Sequence, residues 1–269
     1  MLATLLDRSA GDALPLPRSL AERYGGALRV PDPVVYANFV STLDGVVSYG
    51  TPGSEAAAAV SEGHAGDRFV LALLRAVADV IVVGAGTLRT ERGSVWTPEH
   101  VFHEAGTAFA ELRRAMRLPE RAPTVIVTAS GEVDLSLPAF RSGVRMIVAT
   151  TERGARRLGD APAAVEVRPI AAEGSLASDA ILDLARREGG GARILTEGGP
   201  RLLGRFLEDG VVDELYLTIA PRLAGRSDEL RRIALVEGTA FAAADAPRGR
   251  VVSVKSADDY LFTRFSLRS

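Results

Sequence analysis

Two glycine-containing turns in this chain are suited to holding the phosphate groups of a nucleotide. The first follows the apolar run Val80–Gly84 and contains Gly84, Gly86 and Thr87. Glycine lets a ligand approach the backbone closely, and free N–H groups at the start of a helix bind phosphate oxygens. The threonine hydroxyl adds a further donor. The same glycines could equally serve only to make a tight strand-to-helix turn, and this segment alone leaves both interpretations open.

The second turn lies in the segment ILTEGGPRLL, where a β-rich run leads to Glu197 and the glycine pair Gly198-Gly199. Pro200 follows at a position typical of the first turn of a helix. Open α/β sheets bind ligands where the carboxyl ends of strands meet helix N-termini. Two such turns would hold one extended cofactor if their strands were neighbours. The alternative for Glu197 is a carboxylate that only stabilises a helix N-terminus, by ~0.3 to 1 kcal/mol.

A third polar cluster lies in the segment NFVSTLDGVVS, where a predicted strand leads to the dipeptide Asp44-Gly45. Asp-Gly is a strong turn former, so this cluster could be no more than a turn. In the functional interpretation, Asn38, Ser41, Thr42 and Asp44 line a substrate pocket beside the sheet. A carboxylate there would accept hydrogen bonds from the amino and amide groups of a pyrimidine.

The composition excludes several kinds of site. The 269-residue chain has no cysteine, so disulfides, thiolate nucleophiles and cysteine-ligated metals are excluded. Its net charge of −2 gives no general attraction to nucleic acid, and no apolar run approaches the length of a membrane span. With three histidines and no convergent ligand set, we expect no metal site. Without a convincing signal peptide, the expected location is the cytoplasm.

Strands and helices must alternate along the chain to position these turns. β-rich runs predict strands over residues 34–41, 80–84, 124–128, 145–150, 165–170 and 212–221, and ARILTEGG is predicted to be a strand that leads into a turn. Helical patterns lie between these runs. The last β-rich runs, IALVEG, VVSVKSADDY and YLFTRFSL, have no long helix between them. We therefore predict an α/β fold with a mixed, mainly parallel central sheet, helices on both faces and antiparallel C-terminal strands. Residues 1–33 are predicted to be an irregular leader, and 34–269 a single domain.

The three segments, taken in order, resemble the reductase domain of riboflavin biosynthesis. This domain also forms the C-terminal half of bifunctional deaminase-reductases, and the chain is most similar to the stand-alone actinobacterial pyrimidine reductases. The matching stretches are NFVSTLDGVVS, DRFVLALLRAVADVIVVGAGTLRTE and ILTEGGPRLLGRFLEDGVVDELYLTIAPRLAG. The last is the most specific, because EGGP, the following helix, VDEL and AP occur at the family's spacing. The deaminase half has no counterpart in this chain.

The resemblance implies a dihydrofolate-reductase-like fold, a homodimer and NADPH as hydride donor. It also implies a small-molecule substrate, 5-amino-6-(5-phosphoribosylamino)uracil, whose opened ribose is reduced to a ribityl chain. The residues that it assigns to the cofactor are Gly84, Gly86, Thr87, Thr128, Ser130, Glu197, Gly198, Gly199, Arg201 and Leu202. Those that would face the substrate are Asn38, Ser41 and Asp44. Hydride would pass from C4 of NADPH to an imine or aldehyde carbon, with the proton supplied by water or through Asp44.

The chain departs from that family just after the first turn. The family commonly has Asp-x-Pro followed by Leu-Thr-Val-Arg, which help to hold the ribose phosphate, whereas this chain reads ERGSVWT from Glu91 to Thr97. Glu91 can replace the acidic residue, but LTVR has no counterpart. A dihydrofolate or other pterin reductase is therefore an alternative, and a catalytically silent nucleotide-binding regulator is another. A Rossmann dehydrogenase is disfavoured, because Arg89 stands where its third glycine would be.

Overall fold

The structure is a computed structural model, and it describes residues 1–51, 53–54 and 56–268. The strands are β1 (Ala3–Asp7), β2 (Val34–Thr42), β3 (Val46–Ser48), β4 (Val80–Gly84), β5 (Thr124–Val127), β6 (Met146–Thr151), β7 (Val165–Ala171), β8 (Arg193–Thr196), β9 (Glu214–Ala220), β10 (Ile233–Ala234), β11 (Arg250–Ala257) and β12 (Tyr260–Ser266). The helices are α1 (Arg18–Tyr24), α2 (Ala58–Ser61), α3 (Ala65–Val77), α4 (Ala85–Thr90), α5 (Pro98–Val101), α6 (Gly106–Ala115), α7 (Glu152–Leu158), α8 (Ser178–Gly189) and α9 (Gly199–Glu208).

One large sheet organises the fold. Across the described residues it contains ten strands in the order β1-β11-β12-β9-β2-β8-β4-β5-β6-β7. The strands from β9 to β7 in this order are parallel to their neighbours, whereas β12, β11 and β1 continue the sheet in antiparallel pairing. This confirms the predicted α/β class, with its mainly parallel centre and antiparallel C-terminal strands.

The sheet separates two hydrophobic cores. Every residue of β4 is buried, and this explains why its sequence is a run of β-branched residues that ends in glycine. Ile81 and Val83 pack in the core that includes α3 and α6, whereas Val80 and Val82 pack in the core that includes α8 and α9. Successive side chains of a strand point to opposite faces, so a strand with helices on both sides needs apolar residues at every position.

Helix α3 is held at both ends by polar contacts. The His64 side chain accepts a hydrogen bond from the Gly66 N–H at its start. At its end, the buried guanidinium of Arg113 donates to the carbonyl oxygens of Ala76 and Ala78 at 3.0 and 2.9 Å. These contacts satisfy backbone groups that a helix leaves unpaired at its termini. The last turn of α3, which carries Arg75, is thereby held in place.

Two segments differ from the sequence-based expectation. Residues 1–33 are not wholly irregular, because β1 pairs with β11 and α1 buries Leu20 and Tyr24 in the core. Both elements are short, at five and seven residues, and the Pro- and Gly-rich composition around them concealed them. The predicted strand IALVEG contributes only β10, which pairs with β3 outside the large sheet. The division of the chain at residue 34 stays a prediction.

Candidate cofactor and substrate site

The two glycine-containing turns lie side by side at the carboxyl edge of the sheet. Strands β4 and β8 are hydrogen-bonded neighbours, and the Glu197 N–H donates to the Val82 carbonyl at 2.9 Å. A Cβ atom at Gly84 would lie 2.6 Å from the Gly198 carbonyl oxygen, and one at Gly199 would lie 2.8 Å from Oγ1 of Thr87. The turns are thus in van der Waals contact with each other. Glycine at position 84 is required by that contact.

Gly86 differs from the other glycines of these turns. Its backbone is outside the left-handed region, and an added Cβ would meet only the Arg89 side chain, at 3.8 Å. It lies exposed in the first turn of α4, next to the junction of the two turns. No contact within the described residues therefore requires glycine here. A ligand lying against this turn would require it, because a side chain would keep the ligand from the backbone.

The Glu197 carboxylate lies beneath the turns and is bound by Arg75. Nε and Nη2 of Arg75 donate to its two oxygens at 2.7 and 2.6 Å, and the two side chains are 2% and 9% exposed. Nη1 of Arg75 also donates to the Val95 carbonyl oxygen at 3.2 Å. Arg75 is not among the site residues predicted from the sequence, although an arginine within the apolar helix LALLRAV indicates a buried partner.

Glu91 lies near this ion pair, just after α4. Burial raises the pKa of its carboxyl, and the negative charge of Glu197 raises it further, while Arg75 and a hydrogen bond from Ser94 act in the opposite direction. The Ser94 hydroxyl donates to the Glu91 carboxylate at 3.2 Å. The carboxyl groups of Glu91 and Glu197 therefore both lie near the Arg75 guanidinium. Arg75 makes a bidentate hydrogen-bonded pair with Glu197.

The residues predicted to face the substrate do not converge on one place. Asn38 lines a small cavity under the sheet with Tyr24 and Lys255. Ser41 is three positions further along β2, so its side chain points to the opposite face, and it is only 3% exposed. Asp44 follows the end of the strand. Asp44 thus lies at the carboxyl edge, whereas Asn38 and Ser41 point to opposite faces of β2, and the substrate roles of all three stay predictions.

Asp44 is held as a carboxylate by three donors. It accepts hydrogen bonds from the Thr42 hydroxyl at 2.6 Å and from the backbone N–H groups of Ala224 and Gly225 at 3.0 and 2.8 Å. The Thr42 hydroxyl has the largest effect, and together these bonds lower the pKa of Asp44 to about 2. An acid with that pKa is ionised at neutral pH. The interpretation of Asp44 as a proton donor is therefore disfavoured, and water is the better source of the proton.

The residues predicted for the adenosine side follow β5, the neighbour of β4. The Thr128 hydroxyl accepts from the Gly131 N–H at 3.2 Å, and the Ser130 hydroxyl accepts from the Glu132 N–H at the same distance. Thr128 is buried and Ser130 is exposed. Both hydroxyls hold the local turn, and Ser130 remains open to a ligand along the same edge. On α9, Arg201 is exposed and Leu202 packs against Gly198.

Among the described residues, no group of three or more His, Cys, Asp or Glu side chains is arranged to hold a metal ion. No helix in the described part of the chain has the length and apolar character needed to cross a membrane.

The family is decided by sequence comparison. A family model for the RibD C-terminal domain matches residues 33–256, most of the chain. The chain belongs to this family. The RibD C-terminal domain match covers all three of the segments described above, from β2 to β9, and ends within β11. No curated protein matches the chain in sequence.

Solved structures share the RibD-type fold at low sequence identity. A pyrimidine reductase-like protein from Corynebacterium diphtheriae is 24% identical, with a TM-score of 0.67 over 92% of this chain and 98% of that one. The deaminase/5-amino-6-(5-phosphoribosylamino)uracil reductase of Thermotoga maritima is 20% identical, with a TM-score of 0.62 over 87% of this chain and 56% of that one. The riboflavin biosynthesis reductase Rib7 of Saccharomyces cerevisiae is 14% identical, with a TM-score of 0.57 over 93% of this chain and 96% of that one. At these identities the likeness establishes the fold.

Proposed function

We propose that this chain is an NADPH-dependent reductase of the riboflavin-biosynthesis type. Its substrate would be 5-amino-6-(5-phosphoribosylamino)uracil or a closely related pyrimidine, reduced to the ribityl product. Membership of the RibD C-terminal family supports a reductase, and two structural relatives carry reductase names. The protein would act on this small molecule in the cytoplasm.

Gly86 is the observation that carries the cofactor assignment. Its position at the junction of two contacting turns, without any need for glycine within the protein, fits a dinucleotide phosphate lying against the backbone. Gly84 and Thr87 would complete the first turn around the phosphates, and Gly198 and Gly199 would form the second. Ser130 would contact the adenosine side, one strand further along the edge.

The residues of this chain would orient the reactants and hold charge. NADPH, when bound, would supply the hydride that converts a C=N bond of the opened ribosylamine to CH–NH, and water would supply the proton. The Asp44 carboxylate, ionised at neutral pH, would accept hydrogen bonds from the pyrimidine. Arg75 would act beneath the site by holding Glu197, and with it the second turn, in place.

One observation keeps a pterin substrate as a second candidate. The loop that follows α4 lacks the family's LTVR element, and its Val95 carbonyl oxygen is bound by Arg75. The cation of this loop, Arg92, is exposed and is paired with Asp134 at 2.7 Å. A substrate without a ribose phosphate, such as dihydrofolate, would not need that cation.

The test is to follow NADPH oxidation in parallel with the phosphoribosylaminouracil and with dihydrofolate, using NADH as the cofactor control. We expect turnover with the pyrimidine and NADPH. Turnover with dihydrofolate alone would replace the pyrimidine assignment with the pterin one. Tight NADPH binding in calorimetry with turnover of neither compound would contradict both and indicate a silent nucleotide-binding regulator.

A further inference from the structure

The segment that follows β9 carries several arginines and runs beside the turn between β2 and β3. Two of these arginines are neutralised, since Arg222 lies 3.4 Å from the Glu62 carboxylate and Arg231 lies 2.6 Å from that of Glu237. Arg232 is half-buried and makes no ion pair with the part of the chain that the structure describes. A partly buried charge without an opposite charge is unfavourable. Arg232 therefore differs from its neighbours in lacking an anionic partner.

Tyr49 holds the Arg232 side chain in place but satisfies only part of it. Nη1 of Arg232 donates to the Tyr49 carbonyl oxygen at 2.7 Å, and its guanidinium carbon lies 5.1 Å from the centre of the Tyr49 ring. Nε is buried and has no hydrogen-bond partner among the described residues. A guanidinium has five N–H donors, and a buried donor without an acceptor needs an explanation. A bound anion would complete this side chain.

The surroundings of Arg232 are positively charged. The guanidinium of Arg222 also lies near the Tyr49 ring, 5.7 Å from its centre, so two cations share one aromatic side chain. Glu62 compensates the charge of Arg222 only. A local excess of positive charge raises the concentration of anions beside it. The Arg232 guanidinium is therefore suited to an anionic group that comes from a ligand.

Residues 232–237 connect Arg232 to the proposed site. At their beginning, Arg232 binds the Tyr49 carbonyl oxygen. In their middle, the Leu235 N–H donates to the Gly45 carbonyl oxygen at 3.2 Å, next to Asp44. At their end, the Glu237 N–H donates to the Pro200 carbonyl oxygen at 3.2 Å, where the second glycine turn enters α9. Along this segment the Asp44 turn thus lies between Arg232 and the proposed cofactor turn.

The order of these contacts fits the shape of a phosphoribosylamino-pyrimidine. Such a molecule has its ring at one end and its phosphate at the other, so the two groups need separate anchors. Asp44 is the proposed anchor of the pyrimidine. Gly45 and Tyr49 are four positions apart, which is at most about 13 Å along an extended chain. An arginine side chain bound at Tyr49 is thus displaced from Asp44 by a distance of the order of the substrate's own length.

We propose that Arg232 binds the phosphate group of the substrate and makes the site selective for a phosphorylated pyrimidine. The inference rests on the proposed function, and it gives the phosphate a cation although the loop after α4 lacks the family's LTVR element. Guanidinium N–H groups bind phosphate oxygens through charge-assisted hydrogen bonds, and the planar fork of arginine matches phosphate geometry. A substrate without a phosphate would leave Arg232 unpaired.

The first test measures binding and needs no turnover. Calorimetry at constant ionic strength compares ribose 5-phosphate with ribose on the wild type, Arg232→Met and Arg231→Met. The control, Arg231, is the adjacent arginine, and it is exposed and already paired with Glu237. We expect the wild type and Arg231→Met to bind ribose 5-phosphate at least about tenfold more tightly than ribose, and Arg232→Met to lose this preference. A preference that survives in Arg232→Met, or that is lost equally in Arg231→Met, would overturn the proposal.

The second test follows reduction of the phosphoribosylaminouracil and of its dephosphorylated form. We expect Arg232→Met to raise KM for the phosphorylated compound at least about tenfold, with kcat and the KM of the dephosphorylated compound little changed. Arg232→Lys, which retains the charge and guards against misfolding of the methionine variant, should have an intermediate KM because an ammonium lacks the planar fork. Equal losses with both compounds in both variants would indicate a purely structural role and contradict the proposal.

The two tests separate this proposal from the proposed function. No turnover of either compound, with a preference for ribose 5-phosphate that depends on Arg232, would contradict the reductase assignment and support the phosphate site. Turnover of the phosphorylated compound that Arg232→Met leaves unchanged would do the reverse. Arg226 is the other cation near Asp44, and its Nη2 donates to the Asp44 carbonyl oxygen at 3.3 Å. Loss of the preference in Arg226→Met but not in Arg232→Met would also overturn the assignment to Arg232.

Discussion

Arg75 and Glu197 form a bidentate, nearly fully buried ion pair although 122 positions separate them in the chain. The pair joins the last turn of α3 to the turn between β8 and α9. The same guanidinium donates to the Val95 carbonyl oxygen, so one side chain fixes the second glycine turn and the loop after α4. The position of the proposed cofactor turn thus depends on a residue of α3 that lies outside both glycine turns.

Removing one partner of this pair should be costly. We expect Glu197→Ala to lower the free energy of unfolding by about 3 to 5 kcal/mol, because it leaves the Arg75 charge buried without a partner. The double variant Arg75→Met/Glu197→Leu should lose less than the sum of the single changes. Urea denaturation of the wild type, the single variants and the double variant measures these free energies of unfolding. Arg18→Ala, in an exposed pair with Glu22, is the control and should change stability by less than about 0.5 kcal/mol. Additive effects of the two buried changes would contradict the pairing.

Alanine substitutions at Gly86 and at Gly84 should differ in their effects, the first on cofactor binding and the second on stability. Gly86→Ala has room in the protein, so we expect unchanged or slightly higher stability and a KM for NADPH raised at least about tenfold, or ~1.4 kcal/mol. Gly84→Ala would press a methyl group on the Gly198 carbonyl, and should destabilise the fold by roughly 1 to 3 kcal/mol. Thermal unfolding and NADPH titration distinguish the two. An unchanged KM in Gly86→Ala would remove Gly86 from the cofactor site.

Asp44→Asn should affect turnover and acid stability. The low pKa of Asp44, about 2, means that its carboxylate stabilises the fold above pH 4, and that this contribution disappears as the pH falls through 2. We expect the variant to be about 1 kcal/mol less stable than the wild type at pH 7, and this difference to disappear below pH 2. Turnover should fall more than NADPH affinity. Unchanged turnover would exclude Asp44 from the substrate site.

Glu91 should have the opposite pH dependence. Its pKa is raised in the folded protein, so its contribution to stability is present below its unfolded pKa and is lost as the pH rises through the folded value. Glu91→Gln cannot ionise and avoids this loss. We expect the variant to gain stability relative to the wild type as the pH rises above 4.5, the ordinary pKa of this carboxyl, as measured by denaturation at a series of pH values. A difference that is independent of pH would mean that the Glu91 carboxyl is not buried near Glu197.

Much of the scaffold was predictable, because its strands are marked by local signals. The run VIVVG predicted a strand with helices on both faces, and β4 is buried at every residue. The glycine turns were predictable for the same reason, since Gly and Pro act on the backbone where they stand. By contrast, the convergence of Asn38 and Ser41 on a pocket was not supported. Residues three positions apart in a strand point to opposite faces of the sheet. The predicted strand alone was therefore enough to show that these two side chains diverge.

The sequence by itself determined the α/β class, the alternation of strands and helices and the two turns, because periodicity, Gly and Pro act over a few residues. Only the tertiary structure decided which distant groups meet. It paired Arg75 with Glu197, held Asp44 as a carboxylate by two backbone N–H groups about 180 positions away, and turned the leucines of β9 outward. Such contacts depend on strand order and on which face each helix covers. The spacing of nearby residues determines neither of these. The sequence of the glycine turns alone therefore could not show that the ion pair of Arg75 and Glu197 lies beneath them.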